Sequence, residues 1–347
     1  MSASTRPRVD YIDLAKGFCI LLVIIFHLTE TYKYPCVFNN VGKVFRMPLY
    51  FFLSGLFFKT YSGIWDFIKR KINKLLIPFT FWYLVGVGLS IVMYFFFGWK
   101  LSGSHRYEPI PALLQVFHYD SVPNLPVWFL ISLFESNVIF YVISLIANRF
   151  GRYRIGAIVT MSLMCGAIAI VVKGTDISLP LFLYNTLYHF PSFCLGYLAF
   201  RNTKILEPNK YDKYNWVISI TAFALMTAIA HWGMGLTEPG SKIESTSQIL
   251  MSYPAAWLGI AGILFLSKSI KRLPVVSLYG RYSIMLLVTH LLVVAIIYFT
   301  LKRLGIPKIY SFIINSMITF TYGLVAIPFM RRFMPHVTAQ KDVIKVE

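Results

Sequence analysis

Ten runs of about 20 predominantly apolar residues recur along the 347-residue chain, and that recurrence sets the solvent in which it folds. A bilayer core is crossed only by helices or closed barrels, because every backbone N–H and C=O must find its partner within the protein. The runs lie near residues 12–31, 44–61, 76–97, 127–147, 155–172, 180–200, 215–232, 248–267, 282–301 and 309–330. Only 14% of residues are charged against 57% hydrophobic, and the mean hydropathy of +0.65 exceeds what a water-soluble domain needs. These features predict an all-α, polytopic membrane protein with about ten transmembrane helices. It is read as one membrane domain, residues 1–335, followed by a short cytoplasmic tail, 336–347.

The net charge of +19 would suggest nucleic acid in a soluble protein. Here the basic residues sit in short clusters between apolar runs, so no nucleic-acid partner is expected. If the N-terminus is cytoplasmic, 23 of the 33 Lys and Arg fall on the cytoplasmic side, as topology-setting loops require. Both termini are therefore expected to be cytoplasmic. The remaining ten are thinly spread, with a mild excess at Lys302, Arg303 and Lys308. The apolar run after Arg6 and Arg8 holds Lys16 and His27, so it reads as a retained span and not a signal peptide. Cys19, Cys36, Cys165 and Cys194 show neither metal-ligand nor disulfide spacing and are expected to be packing residues. The longest non-cytoplasmic loop, 98–126, carries His105, Arg106, Tyr107, Glu108, His118 and Asp120 and is expected to form an ordered lid or acceptor platform.

Chemistry concentrates in the first run. Ionisable groups inside a membrane helix are costly, so they face a bundle interior or a wet cavity and mark function. Asp13, Lys16, His27 and Glu30 are spaced so that all four project from one helical face. Lys16 and His27 are separated by about 16 Å of helix rise, which puts Lys16 near the cytoplasmic surface and His27 within the membrane. Histidine is the side chain best suited to exchange a proton near neutral pH. The same stripe would also suit a proton path, and His27 could serve as a hydrogen-bonding residue between helices. Glu135 is a second carboxylate at membrane depth, for which His189 or His290 is the expected partner.

The segment YIDLAKGFCILLVIIFH, with a basic residue, ten intervening positions and a histidine, resembles the opening of the integral-membrane acyltransferase 3 family. Further similarities follow in order: RMPLYFFLSGLFF (Arg46 to Phe58), FIKRKINKLLIPFTFWY, VWFLISLF and YGRYSIMLLVTH, so that the resemblance spans roughly residues 10–330. Its closest likeness is to the fucose 4-O-acetylase-like branch of sugar O-acetyltransferases. Many members have Arg where this chain has Lys16, and an Arg-x-x-Arg where it has Lys71 and Lys74; lysine keeps the charge but not the bidentate fork.

The resemblance implies an acyltransferase of a bacterial plasma or inner membrane that moves an acyl group, usually acetyl, from cytoplasmic acetyl-CoA or another acyl-CoA. The acceptor would be a hydroxyl of a glycan or glycolipid of the cell envelope. On that reading His27 is the general base, or itself carries the acyl group, with Lys16, Glu30, Asp13 and Glu135 as further catalytic candidates. Glu30, one turn further out, would orient the imidazole or else be a water-facing residue at the helix end. Lys69, Arg70, Lys71, Lys74, Arg149 and Arg152, together with Arg154, form a basic mouth for the donor's phosphates. Ser54, Trp128, His290 and Arg46 are the candidates on the acceptor side, and no metal is expected. A proton-coupled transporter or flippase of a glycan or lipid-linked substrate is the alternative.

Overall fold

Runs rich in Leu, Ile, Val and Phe form long helices in a computed structural model of the chain, and α2, α8, α10 and α14 each carry an internal proline. It describes residues 9–34, 36–100, 107–118, 122–175, 177, 179–203, 207–208, 210–238 and 240–346. Arg6, Arg8, His105, Arg106 and Asp120 lie outside the described residues, as does the side chain of His118. The helices are α1 (Asp10–Tyr32), α2 (Val37–Leu56), α3 (Ile64–Lys71), α4 (Ile77–Phe97), α5 (Pro109–His118), α6 (Trp128–Asn148) and α7 (Arg154–Lys173). They continue as α8 (Leu183–Thr203), α9 (Asn215–Ala228), α10 (Thr246–Ile270), α11 (Pro274–Arg281), α12 (Ser283–Arg303), α13 (Lys308–Thr321) and α14 (Gly323–Phe333). No strand occurs among the described residues.

Seven helices among the described residues are long and apolar enough to cross a membrane, and α13 with α14, bent by 44°, makes an eighth. The chain is an all-α, polytopic membrane protein. Helices also occupy the two other expected spans, α2 and α8, but neither reaches the same hydropathy. α2 starts at Val37, ahead of the expected residue 44, and includes Asn39, Asn40, Lys43 and Arg46. Asn39, Asn40 and Arg46 are buried, so these polar groups face protein and not lipid. Lys43 and Arg46 are thus interior to a helix.

The chain forms two compact units. The first comprises residues 1–23, 36–49 and 203–283. In it α9 packs along α10, whose start is fixed by a capping box: the Ser245 hydroxyl accepts from the Gln248 N–H while the Gln248 side chain accepts from the Ser245 N–H. The first half of α1 lies directly on α11. A Cβ at Gly17 would strike the Val276 carbonyl, and one at Gly280 would strike the Asp13 carbonyl, so glycine at both positions lets the two backbones touch.

The second unit comprises residues 24–35, 50–202 and 284–347. A reciprocal pair, Gly55 against the Phe193 carbonyl and Gly196 against the Phe52 carbonyl, brings α2 and α8 together in the same way. A polar ladder on α13 ties α1 to α12: Asn315 donates to the Tyr32 hydroxyl (3.1 Å) and to the Val294 carbonyl (3.0 Å), and Thr319 donates to Asn315 (3.0 Å). Between α3 and α4, residues Ile72–Leu76 form a π-helical turn. It holds Asn73, 1% exposed, against the C-terminal segment. The Asn73 amide oxygen accepts from the N–H of Val343 (3.0 Å) and Ile344 (2.9 Å), and its nitrogen donates to the Ile344 carbonyl (2.8 Å). The tail therefore docks on the helix that follows the basic loop.

Candidate active site

α1 is unbroken from Asp10 to Tyr32, which preserves the spacing of its polar stripe. In the first unit Asp13 is buried and pairs with Arg281, whose Nε lies 3.7 Å from Oδ2. The Gly17 and Gly280 packing brings Arg281 there, one residue beyond the glycine. Lys16 is half-buried on the same face. Arg46, also in this unit, is 7% exposed, and its carbonyl accepts from the Cys19 thiol at 2.8 Å. Cys19 and Cys194 are buried free thiols, and Cys36 and Cys165 are half-buried ones.

In the second unit the stripe reaches His27, and the ring placed against it is His290, with centroids 5.1 Å apart. His290 is fully buried on α12. Its Nδ1 is 2.8 Å from the Leu286 carbonyl. A carbonyl only accepts, so Nδ1 carries the hydrogen and Nε2 presents a lone pair. That Nε2 is buried and makes no hydrogen bond among the described residues. α12 is held at this level from two sides. Asn124 donates to the Val288 carbonyl (2.7 Å), and the Thr289 hydroxyl bonds the Tyr322 hydroxyl (3.0 Å). Glu30, expected to orient the His27 imidazole, is instead exposed, and its carboxylate makes no hydrogen bond among the described residues. One turn beyond His27 the helix has already reached its open end.

Glu135 projects from α6 and accepts from the Thr186 hydroxyl at 2.6 Å. Thr186 stands on α8 three residues before His189. His189 stacks on Phe51 (4.8 Å) and lies parallel to Trp128 (6.1 Å). Ser54 accepts from the Asn137 amide at 3.2 Å. The hydroxyl of Ser136 and the amide oxygen of Asn137 are buried without hydrogen bonds among the described residues. Ser54 and Asn137 thus form one polar contact, between α2 and α6, and Glu135 and Thr186 another, between α6 and α8. Sequence reasoning missed Thr186 and Asn137, since isolated Thr and Asn in a span carry no pattern.

The basic mouth divides into occupied and available cations. Arg70 pairs with Asp66 at 2.8 Å, and Lys74 pairs with Asp342 at 2.9 Å while also donating to the Ala339 carbonyl. Arg152 donates to the neighbouring Tyr153 hydroxyl (2.6 Å), and Lys69 and Arg149 are exposed. Lys71 instead lies over the rings of Phe58 (5.9 Å) and Phe67 (5.4 Å). Phe58 also contacts Tyr197 (6.1 Å), whose hydroxyl accepts from Arg154 at 2.8 Å. Lys71 and Arg154 are therefore joined by one aromatic cluster, and the Arg154 Nε is buried with no acceptor among the described residues. No group of His, Cys, Asp and Glu among the described residues is arranged to hold a metal ion.

Comparison with curated proteins and with solved structures returned no match. A family model described as an acyltransferase domain matches residues 9–330, nearly the whole chain. By that match, and with the membrane helices and first-helix histidine already described, the chain belongs to the integral-membrane acyltransferase 3 family and is a membrane acyltransferase.

Proposed function

We propose that the protein transfers an acetyl group from acetyl-CoA at the cytoplasmic face of a bacterial plasma membrane to a hydroxyl of a cell-envelope glycan. The observation that carries this reading is the pair His27 and His290. A buried acceptor left unmatched costs about 1–3 kcal/mol. His290 Nε2 is such an acceptor beside a half-buried histidine, and the group that suits it is a donor brought by substrate. A sugar hydroxyl is that kind of donor.

In the proposed reaction the acceptor hydroxyl gives its proton to the His27 imidazole as its oxygen attacks the thioester carbonyl. An ester C–O bond forms, the C–S bond breaks, and the proton passes to the departing coenzyme A thiolate. His290 Nε2 accepts a hydrogen bond from substrate or from the protonated His27 ring, and so holds the attacking group in line. Phosphates of the donor are polyanionic and stay at the aqueous face, where Lys71 and Arg154, joined by one aromatic cluster, are the cations that would meet them. The Glu135 carboxylate, with Trp128 two turns earlier on the same face of α6, suits a sugar, which offers hydroxyls to acceptors and an apolar face to an aromatic ring.

The test is mass spectrometry of surface glycans from cells with the gene, without it, and with His27→Ala. One acyl mass per modified sugar should disappear in both deletion and mutant. Unaltered glycan in the deletion, or full modification with His27→Ala, overturns the reading. A transporter would instead move substrate irrespective of acyl-CoA and leave no new ester.

A further inference from the structure

Lys302 and Arg303 stand out by sequence as cations on the side where few are expected, and the acyl-transfer reading gives them no task. They line an open cavity of about 750 Å³ together with Phe96, Phe97, Gly98, Trp99, Lys100 and Phe299. All of these belong to the second unit. The cavity exists because α4 ends in a left-handed turn at Gly98 (φ 66°), which returns the chain so that the Trp99 N–H bonds the Met93 carbonyl. Trp99 then stacks between Phe97 (4.9 Å) and Phe299 (4.6 Å). Arg303 rests over the Phe97 ring at 5.8 Å and Lys302 over Tyr298 at 5.9 Å.

Three cations thus converge on an aromatic wall, none of the lining residues is acidic, and none of the three is ion-paired among the described residues. Aromatic rings at a membrane interface anchor by default, and Lys302 and Arg303 also complement the C-terminal end of α12. Neither effect accounts for Lys100, which comes from a different helix end and turns to the same cavity. The volume is that of a small-ligand site, and Phe96, 79% exposed, extends its apolar wall outward.

We infer that this cavity binds the phosphate of an anionic membrane lipid, with Lys100, Lys302 and Arg303 holding the headgroup and Phe96, Trp99 and Phe299 holding the glycerol and first acyl carbons. A lipid is the occupant because the cations sit at the ends of two spanning helices, where a headgroup phosphate already lies, and because the wall beside them is apolar. The inference is independent of the acyl-transfer reading.

The test uses the full chain in detergent micelles, with binding of phosphatidylglycerol and phosphatidylcholine followed by native mass spectrometry. Phosphatidylglycerol should be retained in preference, and each cation removed should weaken it about fivefold. K302Q/R303Q should therefore bind far less, while the charge-keeping K302R/R303K should bind as wild type does. Lys100→Gln, outside any helix, supplies the fivefold loss without touching α12. Equal retention of the two lipids, or undiminished binding by K302Q/R303Q or Lys100→Gln, overturns the assignment. Inorganic phosphate alone should not displace the lipid; displacement would make a soluble phosphate the occupant and overturn the lipid assignment.

Discussion

His290 Nε2 lies buried beside His27 without a hydrogen-bond donor among the described residues, so it is the acceptor that a bound hydroxyl would satisfy. His290→Leu removes that acceptor at similar volume. It should leave thermal stability unchanged or raise it by about 1 kcal/mol while lowering transfer, measured as ester formed per protein in membranes. If stability and activity fell together, His290 would be a packing residue. His27→Ala should cost about 10²–10⁴-fold in turnover, the usual contribution of a positioned base. At the basic mouth the ion pairs rank the cations. Lys71→Gln should raise the Michaelis constant for acyl-CoA, whereas Arg70→Gln should leave it almost unchanged, because Asp66 already neutralises Arg70. A donor dependence equally sensitive to both would show that the pairing does not matter.

Among the elements, the helices of the ten runs were legible because apolar length is written directly in composition. Their contacts were not. Hydropathy registers how long a run is, so it missed the π-helical turn at Ile72–Leu76, the bend between α13 and α14, and the polar first two turns of α2. Each of these depends on a partner distant in sequence. The stripe from Asp13 to Glu30 could be read from spacing alone, but Arg281, His290 and Thr186, which meet Asp13, His27 and Glu135, could not. The reciprocal glycines Gly55 and Gly196 give a sharp test. Gly55→Ala drives a methyl into the Phe193 carbonyl and should destabilise the α2 and α8 pair by about 1–3 kcal/mol. The C-terminal tail was legible only as a basic extension, yet Asn73 binds its backbone at residues 343 and 344. Asn73→Ala should release it, seen as faster proteolysis after Lys341 and Lys345 than in wild type.

For the molecule in its membrane, contacts at helix ends settle how many helices must cross. Segments that touch outside the hydrocarbon core lie on the same side of it, since the core is about 30 Å thick. Lys74 touches Asp342 and Asn73 touches Ile344, so the loop before α4 and the C-terminal tail share one side. Trp99 touches Phe299, so the end of α4 and the end of α12 share the other. Between the ends of α4 and α12 the number of crossings must then be even. The helices that qualify by hydropathy in that interval, α6, α7, α9, α10 and α12, are five. Adding α8 makes six, and the same addition restores parity between Lys74 and the tail. This parity predicts that α8 crosses too, although Tyr184, Asn185, Thr186 and His189 lower its hydropathy. The ten-span reading with both termini cytoplasmic predicts that cysteines at Thr175 and Lys302 react with a membrane-impermeant thiol reagent in intact cells, whereas one at Lys213 reacts only after permeabilisation. The background for that labelling replaces Cys19, Cys36, Cys165 and Cys194. Labelling of Lys213→Cys from outside would place α8 along the membrane surface or within one leaflet, and the parity imposed by the Trp99 and Lys74 contacts would then have to be met by losing a second span.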